Sequence, residues 1–415
     1  MKAVGVVLAA VSLVVNSGWN ASAEDAALRH ARELLTRAPL VDGHNDLAEQ
    51  IGEQVQGDLA RYALRPRREK GDTDIPRLRE GLLGGQFWSV WIASGLRAPA
   101  RAQLEQIDTA RRVIAAYPDV FLLATRAADV ERAHREGKIA SFLGMENGQA
   151  LENSLGALRA YYELGVRYMT LTHGRNTDWA DSATDTPVHG GLTPFGREVV
   201  REMNRLGMLV DISHVSPQVM GQVLDLSEAP VIFSHSSTRA LVDHPRNVPD
   251  DVLKRLPRNG GVVMITFIPD FVSAERAAWG KGVELLVQGA QTGEEIVRIE
   301  SEYAKTHGPA PLATLSQVAD HVEHAARVAG HDHIGIGSDF YGGPMPRGLE
   351  DVSRYPDLFA ELIRRGWSDP DLVKLAGGNV VRALGEAEAV AARIQKQRPA
   401  SSATIEALDG KPVRP

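Results

Sequence analysis

Eight short apolar segments recur along the chain, each about the length of a β-strand. They are rich in Val, Ile, Phe or Met, which is typical of strands that are buried on both faces of a parallel sheet. The pattern therefore predicts eight buried strands. The segments are Leu40–Asp46, Gln86–Ala93, Ile139–Glu146, Tyr168–His173, Met208–His214, Val231–Ser236, Gly261–Phe267 and His333–Asp339.

Amphipathic stretches lie between these segments and predict helices. Examples are Ser154–Leu164, Phe195–Leu206 and Asp250–Leu256, where Asp250 is the expected N-cap. Strands that alternate with helices indicate βαβ units. Eight such units favour a TIM-type (β/α)8 barrel over a doubly wound sheet, although periodicity alone does not establish that the sheet closes.

The longest interruption runs from Ile268 to about Thr314, between the last two predicted strands. We interpret it as an insertion that forms a lid or an oligomer contact, because long connections are usually functional or mobile. Helical patterns predict one helix around Val283–Ala304 and a barrel helix at Leu315–Val328. The expected organisation is one barrel domain over residues 24–395 and a polar tail at 396–415, with a loose terminal segment after about Ala391.

The N-terminus has the pattern of a signal peptide. Lys2 precedes an apolar stretch from Ala3 to Val15, and Ala21-Ser22-Ala23 provides a signal peptidase site. The alternative is a membrane anchor, but the stretch is shorter than the ~20 residues that span a bilayer. We therefore predict cleavage after Ala23, export to the periplasm or medium, and no stable membrane anchor.

Composition narrows the chemistry. The 415 residues are 43% hydrophobic and 24% charged, so there is enough apolar surface for a core. A net charge of -7 provides no basic face for nucleic acid. The chain has no cysteine, which excludes disulfides, cysteine-ligated metals and a thiol nucleophile. Any metal must be bound by His, Asp and Glu.

Polar side chains able to bind metal or transfer protons stand at the carboxyl ends of the predicted strands. In a (β/α)8 barrel these ends meet at one rim, where catalytic groups come from several strands. Seven such side chains are therefore expected to converge. They are His44, Asp46, Glu146, His173, His214, His235 and Asp339.

This set exceeds the needs of one metal ion, because a catalytic zinc usually takes three protein ligands and a water. Two ions bridged by a carboxylate account for the surplus. Glu146 is the expected bridge, with His44 and Asp46 on one ion and His214 and His235 on the other. Mixed nitrogen and oxygen ligands suit Zn2+, and Mn2+, Fe2+ or Co2+ remain alternatives.

Each residue also has a simpler interpretation. A single His-x-Asp pattern is common, Asp339 could cap a helix, and Glu146 could pair with an arginine. A shared site explains the whole set better than these separate interpretations, because they require several strand ends to carry such residues by chance. We assign no function to His331-Asp332-His333 at the start of the last strand, treat His30, His321 and His324 as solvated, and keep His189 and His244 only as supporting residues.

Several segments resemble the membrane (renal) dipeptidase family of the amidohydrolase superfamily, including its secreted bacterial members. The resemblance covers about Leu40 to Leu384 in order, and long ordered matches are specific. The matching segments are Asp42–Leu47, Gly84–Val90, Leu155–His173, Asn176–Ser182, Gly191–Gly196, Asn204–Ser216, Ala229–Ser237, Arg246–Asp251, Leu315–His321, Gly337–Phe340 and Gly348–Leu358.

The resemblance implies a dipeptidase with two Zn2+ per chain and an amidohydrolase-like barrel. It makes His173 and Arg246 substrate-binding and Asp339 the acid–base group. The implied mechanism is attack by a metal-bridging hydroxide, with His173 at the oxyanion and Arg246 on the substrate carboxylate. The family suggests a homodimer, and L-Xaa-L-Xaa and L-Xaa-D-Xaa dipeptides as substrates. The resemblance further implies that the five zinc ligands are His44, Asp46, Glu146, His214 and His235.

Departures from the family leave the substrate preference open. Ser94 and Arg175 stand where some members have a disulfide, and Asn147 and Gln149 replace a Gly and a His that are usual in animal relatives. Two other functions remain as alternatives. One is hydrolysis of a cyclic amide, lactone or β-lactam, and the other is a periplasmic metal- or peptide-binding protein without turnover.

Overall fold

A computed structural model describes residues 25–287 and 293–410, so the predicted signal peptide lies outside the described residues. All eight predicted strands are present, and a ninth, shorter strand was not predicted because three residues are too few to form a pattern. The strands are β1 Leu40–Asn45, β2 Leu83–Trp91, β3 Phe121–Leu123, β4 Ile139–Glu146, β5 Val166–Thr170, β6 Leu209–Asp211, β7 Val231–Phe233, β8 Val262–Ile265 and β9 Ile334–Ile336.

The sheet is parallel and closed. Its strand order is β2-β1-β9-β8-β7-β6-β5-β4-β3, and β2 also pairs with β4 from Gly85↔Ala140 to Trp91↔Glu146. This pairing closes an eight-stranded barrel, and β3 adds to β4 from outside the ring. The predicted (β/α)8 architecture is confirmed.

Most helices occur in the connections between strands, as expected for βαβ units, with α1 before β1 and α15 to α18 after β9. Local signals fix their beginnings: Thr193, Ser216 and Thr314 cap three helices with their side chains. The helices are α1 Ala26–Arg37, α2 Leu47–Val55, α3 Ile75–Glu80, α4 Pro99–Ala116, α5 Ala128–Arg135, α6 Leu155–Glu163, α7 Pro194–Leu206, α8 Pro217–Leu226, α9 Asp250–Leu253, α10 Leu256–Asn259, α11 Pro269–Val272, α12 Ala274–Val287, α13 Gly293–His307, α14 Leu315–Ala329, α15 Tyr355–Arg364, α16 Asp369–Val373, α17 Asn379–Ile394 and α18 Ile405–Asp409.

Three details differ from the sequence-based expectations. Pro249 rather than Asp250 is the N-cap of α9, since Asp250 already has helical geometry. The insertion holds α12 and α13 instead of one helix around Val283–Ala304, and Trp279 contacts Tyr303 edge-on at 5.3 Å across them. The predicted barrel helix at Leu315–Val328 is confirmed as α14.

The segment expected to be loose after about Ala391 is packed against the barrel. α17 continues to Ile394, and α18 buries Ile405 to 3% exposure. The Asp409 carboxylate accepts a hydrogen bond from the Phe195 amide at 2.9 Å at the start of α7. A polar composition therefore did not mean an unpacked tail here.

His321 and His324 are buried, so the prediction that they are solvated is wrong. Both lie on the face of α14 that packs on the barrel, with 1% and 8% of their surface exposed. His321 Nδ1 accepts the Thr238 amide at 3.1 Å, and His324 Nε2 lies 2.8 Å from Asp250. Over residues 25–287 and 293–410, no helix is long and apolar enough to cross a membrane.

The apolar core leaves one end of the barrel free for chemistry. Val380, Ala383 and Leu384 of α17 pack in one cluster with Leu209 and Val262, which lie at the amino ends of β6 and β8. The opposite end, where the strands finish, carries the polar residues singled out above.

Candidate metal centre

The seven predicted side chains and Arg246 meet at the carboxyl end of the barrel. Most of them line a cavity of about 390 Å³, with His44 buried beneath it. Only His44 and Glu146 lie inside strands. The other five predicted residues follow their strands by one to three positions, and Arg246 lies in the loop beyond β7. The strands end earlier than predicted, so these residues are held by other contacts. The cavity-lining members are Asp46, Glu146, His173, His214, His235, Arg246 and Asp339.

Glu146, the last residue of β4, is the centre of the cluster. Its Oε1 lies 2.9 Å from His214 Nε2 and 3.3 Å from His235 Nε2. Its Oε2 lies 3.3 Å from His44 Nε2, which is also 3.4 Å from Asp46 Oδ1. The two oxygens of one carboxylate thus face two different sets of ligands, which is the arrangement of a bridging ligand.

The donor atoms fit divalent metal ions. His44 Nε2 and Asp46 Oδ1 are buried and have no hydrogen-bond partner among residues 25–287 and 293–410. His214 Nε2 and His235 Nε2 approach to 2.9 Å, so two ring nitrogens point to one place. Burial lowers the pKa of both imidazoles well below the usual range, which keeps them neutral, as a metal ligand must be. Three overlapping groups of three side chains, with three carboxylates and four imidazoles in all, each bring their ligand atoms close together, and such a set suits two ions.

Tyr168 fixes the tautomer of His44. The Tyr168 hydroxyl donates to the Gly43 carbonyl at 3.1 Å and therefore accepts from His44 Nδ1 at 2.8 Å. This leaves the lone pair of His44 on Nε2, facing the cluster. The Tyr168 ring crosses the space beside Gly144, where a Cβ atom would overlap it. A glycine at position 144 is therefore needed for this contact.

Ser234 and Asp211 fix the tautomer of His235. The Ser234 hydroxyl donates to Asp211 Oδ2 at 2.6 Å and accepts from His235 Nδ1 at 2.7 Å. Asp211 also accepts the Thr170 hydroxyl at 2.5 Å and the Ser213 amide at 3.0 Å. The relay from carboxylate to serine to imidazole directs Nε2 of His235 toward Glu146.

His173 lies at the open side of the cluster. Its Nε2 is 3.7 Å from Glu146 Oε1, its side chain is 27% exposed, and its ring contacts Trp91 edge-on at 5.5 Å. Burial lowers its pKa, so the neutral ring can donate a hydrogen bond to an incoming oxygen.

Arg246 is a buried cation facing the same cavity. It is 3% exposed, and its Nη2 donates to the His235 carbonyl at 3.1 Å. Its Nε has no hydrogen-bond partner within the described segments. Burial lowers its pKa to about 10, which leaves it charged at neutral pH. His244, kept as a supporting residue from the sequence, accepts the Arg246 amide on Nδ1 at 3.2 Å and packs on Phe271.

Asp339 is held in an unusual backbone conformation. Its φ is 68°, in the left-handed region that costs a side-chain-bearing residue energy, and its amide donates to the His44 carbonyl at 3.1 Å. Burial raises its pKa to about 8, with Asp46 and Glu146 adding repulsion. A carboxyl with a pKa near the working pH is suited to moving a proton.

Side-chain hydrogen bonds join the rim loops that carry Ser94 and Arg175. Gln149 accepts the Gly95 amide at 2.9 Å through Oε1 and donates to the Asn176 carbonyl at 3.2 Å through Nε2. The loops after β2 and β5 are thus connected without a covalent bridge.

The remaining histidines lie away from the cluster. His189 contacts the Thr177 carbonyl at 3.0 Å in a loop, and His30 pairs with Asp369 at 2.9 Å. The His331–His333 segment forms a turn before β9, at the other end of the barrel from the cluster.

Sequence reasoning missed the residues that support the ligands. Tyr168 and Ser234 lie inside apolar segments, where an aromatic or small residue looks like ordinary core. Asp211 did carry a signal, because a carboxylate in a buried strand needs several hydrogen bonds.

Glu49 was also missed, because its position in the sequence is typical of the exposed surface of a helix, although it lines the cavity. Burial raises the pKa of Glu49 to about 9, and the carboxylates of Asp46 and Glu53 add to the shift.

Comparison with known proteins identifies the family. A model of the membrane dipeptidases, peptidase family M19, matches residues 28–398. The chain belongs to the membrane dipeptidase family. The dipeptidase aclJ of Aspergillus oryzae is 41% identical over 372 residues, which are 86% of this chain and 80% of that protein.

Solved structures agree with this membrane dipeptidase assignment. The probable dipeptidase PvdM of Pseudomonas aeruginosa is 27% identical, with a TM-score of 0.75, over 88% of this chain and 99% of that one. A metallopeptidase of Rhodobacter sphaeroides, solved with a phosphinate mimic of L-Ala-D-Ala, is 25% identical, with a TM-score of 0.70, over 84% and 99% of the two chains. The protein is a metallo-dipeptidase of the M19 type, built on the TIM-type amidohydrolase barrel.

Proposed function

We propose that this dipeptidase cleaves dipeptides with a free C-terminal carboxylate, of both L-Xaa-L-Xaa and L-Xaa-D-Xaa configuration. The observation that carries the proposal is Arg246, a 3%-exposed residue that lines the cavity and whose buried Nε has no hydrogen-bond partner among the described residues. A guanidinium binds a carboxylate through paired hydrogen bonds. The cavity of about 390 Å³ is at the lower end of the range for small-molecule sites, which suits a substrate of two residues.

Two divalent ions, which we propose to be Zn2+, would be held by His44, Asp46, Glu146, His214 and His235. When bound, they supply a polarised carbonyl and an activated water at neutral pH. His173 holds the carbonyl oxygen as charge develops on it, since its neutral ring donates from the open side of the cluster. Asp339, whose side chain lies 3.9 Å from His44 Nε2, moves the proton from water to the leaving amine.

The stereochemistry, location and assembly are further parts of the proposal. The Rhodobacter sphaeroides relative binds a mimic of a dipeptide with a D-residue at its C-terminus, which supports acceptance of D-residues here. The signal-peptide pattern ending at Ala23 supports export. A homodimer rests on the family resemblance alone.

The test is a library of L,L and L,D dipeptides given to the zinc-loaded enzyme, with release of free amino acids followed by chromatography. Asp339→Asn is the matched variant, because it keeps the shape of the side chain and removes its proton transfer. We expect the wild type to cleave members of both series and the variant to bind metal but turn over far more slowly. Failure of the wild type to cleave either series would overturn the proposal.

A further inference from the structure

We propose that Glu49 and Glu53 select dipeptides with a long cationic side chain, Lys or Arg, on the amino-terminal residue. This inference rests on the proposed function, since it specifies the substrate of the same site. Both carboxylates line the metal cavity, and both also line a second groove of about 840 Å³. Trp91 is the third residue shared by the two spaces, so the cavity and the groove are adjacent and meet at these three side chains.

The groove lies where the amino-terminal residue must point. Arg246 follows β7, whereas Trp91 closes β2 and Glu49 follows β1 on α2. Around the ring, β1, β9 and β8 separate β2 from β7 on one side, and β4, β5 and β6 separate them on the other. Arg246 and Trp91 are therefore on opposite sides of the mouth. A dipeptide whose carboxylate binds Arg246 across the metal cluster directs its first residue toward Trp91 and α2.

The two glutamates lack a cationic partner in the part of the chain that the structure describes. Neither forms an ion pair there. Burial, followed by repulsion from the carboxylates of Asp46, Glu53, Glu146 and Asp339, raises the pKa of Glu49 to about 9, so Glu49 holds a proton at neutral pH until a bound cation favours its charged form. Other acids of the groove are already paired: Glu105 lies 2.9 Å from Arg101, and Asp108 lies 2.7 Å from Arg112. The two arginines that line the groove are therefore already paired with other acids.

An independent observation marks the cavity as a ligand site. Arg246 is 3% exposed and lines the same cavity, and its buried Nε has no hydrogen-bond partner in the part of the chain that the structure describes. The acidic pair is thus part of the wall of a site that another group already identifies.

The shape and composition of the groove suit a lysine or arginine side chain. Glu49 and Glu53 are one helical turn apart, about 6 Å along α2, and lead outward from the cluster. Leu96 and Leu104, which are 42% and 48% exposed, provide an apolar wall. Long basic side chains lay their methylene stems on apolar surface and place the charge at a polar end. Trp91 adds an aromatic face that attracts a cation.

The experiment compares substrates that differ only in charge. Specificity constants are measured for Lys-Ala and norleucyl-Ala, for Arg-Ala and citrullyl-Ala, and for Ala-Ala and Glu-Ala. We expect the wild type to prefer each cationic substrate about tenfold over its neutral partner, a ratio that each carboxylate supplies in part. Glu49→Gln with Glu53→Gln should abolish the preference and leave the rate on norleucyl-Ala within about threefold, because only the charge interaction is removed.

Two further variants separate charge recognition from damage to the fold. Glu53→Lys should invert the order, so that Glu-Ala becomes a better substrate than Lys-Ala. Glu131→Gln removes one negative charge at the opposite end of the barrel, in the cavity beside Pro39, and should leave every ratio unchanged. Zinc content and melting temperature are measured for each variant.

The outcomes separate the inference from the proposed function. Equal rates of wild type on Lys-Ala and norleucyl-Ala, with Ala-Ala still cleaved, overturn the selectivity and leave the dipeptidase intact. An equal loss on all substrates in Glu49→Gln assigns Glu49 to the α-ammonium group and also overturns it. If the zinc-loaded wild type cleaves none of them, the proposed function fails and this inference fails with it.

Discussion

Removal of the Arg246 guanidinium tests the proposed carboxylate site most directly. Arg246→Met keeps an unbranched side chain of similar length over the Phe271 ring, which the guanidinium carbon contacts at 5.3 Å. It removes the charge and the unpartnered Nε. The change should therefore leave the buried packing largely intact and weaken the binding of a carboxylate.

The magnitude follows from the hydrogen bonds that remain available. Nη2 already donates to the His235 carbonyl at 3.1 Å, and Nη1 reaches Ser236 Oγ only weakly, at 3.4 Å. Two charge-assisted bonds to a substrate carboxylate remain, and each contributes about 1.5–3 kcal/mol. Taking the lower end for both gives about 3 kcal/mol, or a loss of roughly 150-fold in kcat/KM.

The assay compares L-Ala-L-Ala with its C-terminal amide, which has the same scissile bond and no carboxylate. This comparison is needed because Arg246 also lowers the pKa of Asp339, so the variant can change the chemical step for every substrate. We expect Arg246→Met to lose about 150-fold on the free acid relative to the amide. Arg246→Lys should recover part of the loss, since it restores the charge without the planar pair of donors.

Equal losses on the acid and the amide would refute the reasoning. They would mean that Arg246 acts on the protein rather than on the substrate carboxylate. Full activity of Arg246→Met on a cyclic amide or lactone, with none on dipeptides, would instead favour another amidohydrolase reaction.

Three further predictions concern the metal cluster. Asp339→Asn should lower kcat by about 10²–10⁴-fold with metal content unchanged, measured by steady-state kinetics and metal analysis. Tyr168→Phe and Ser234→Ala should each weaken metal binding about 10–100-fold in competition with a chelator, because His44 and His235 lose their orienting partners, and unchanged affinity would contradict the tautomer argument. The metal-free protein should lose stability as the pH rises toward 8, because burial raises the folded pKa of Asp339 to about 8, whereas the unfolded chain releases that proton near the ordinary aspartate pKa of 3.8. Thermal melts from pH 5.5 to 8.5 measure how the melting temperature falls as the pH rises. Asp339→Asn should reduce this fall, and added divalent metal should offset it most at the alkaline end.

The barrel could be predicted because buried parallel strands leave a strong mark in the sequence. Each of the eight apolar segments became a barrel strand, and only β3, with three residues, was missed. The predicted ends of the strands were less accurate. Met208–His214 was predicted as a strand, yet β6 ends at Asp211. Polar residues at the mouth replace the ladder hydrogen bonds with contacts to side chains, which a count of apolar positions cannot detect.

The metal-type residues could be predicted from residue type and position at strand ends, whereas their surroundings could not. Arg246 became a candidate only through the family resemblance, because an arginine in a loop is usually a solvated charge. Glu49 shows why the rest was missed. Its spacing after Asp46 places it in the first turn of α2, and only the closed barrel turns that helical face toward the cavity.

Two buried carboxylates beneath the cluster explain how such short strands can hold it in place. β6, β7 and β9 have three residues each, so His214, His235 and Asp339 follow the last ladder positions of their strands. Asp211 accepts the amides of Ser213 and Ser234, which lie next to His214 and His235. Asp42 accepts the amide and hydroxyl of Ser338, next to Asp339, and the Tyr355 hydroxyl. Each carboxylate therefore accepts backbone hydrogen bonds from a rim segment, as the neighbouring strand does within the sheet. A substitution of either carboxylate should displace the metal ligands before it unfolds the barrel.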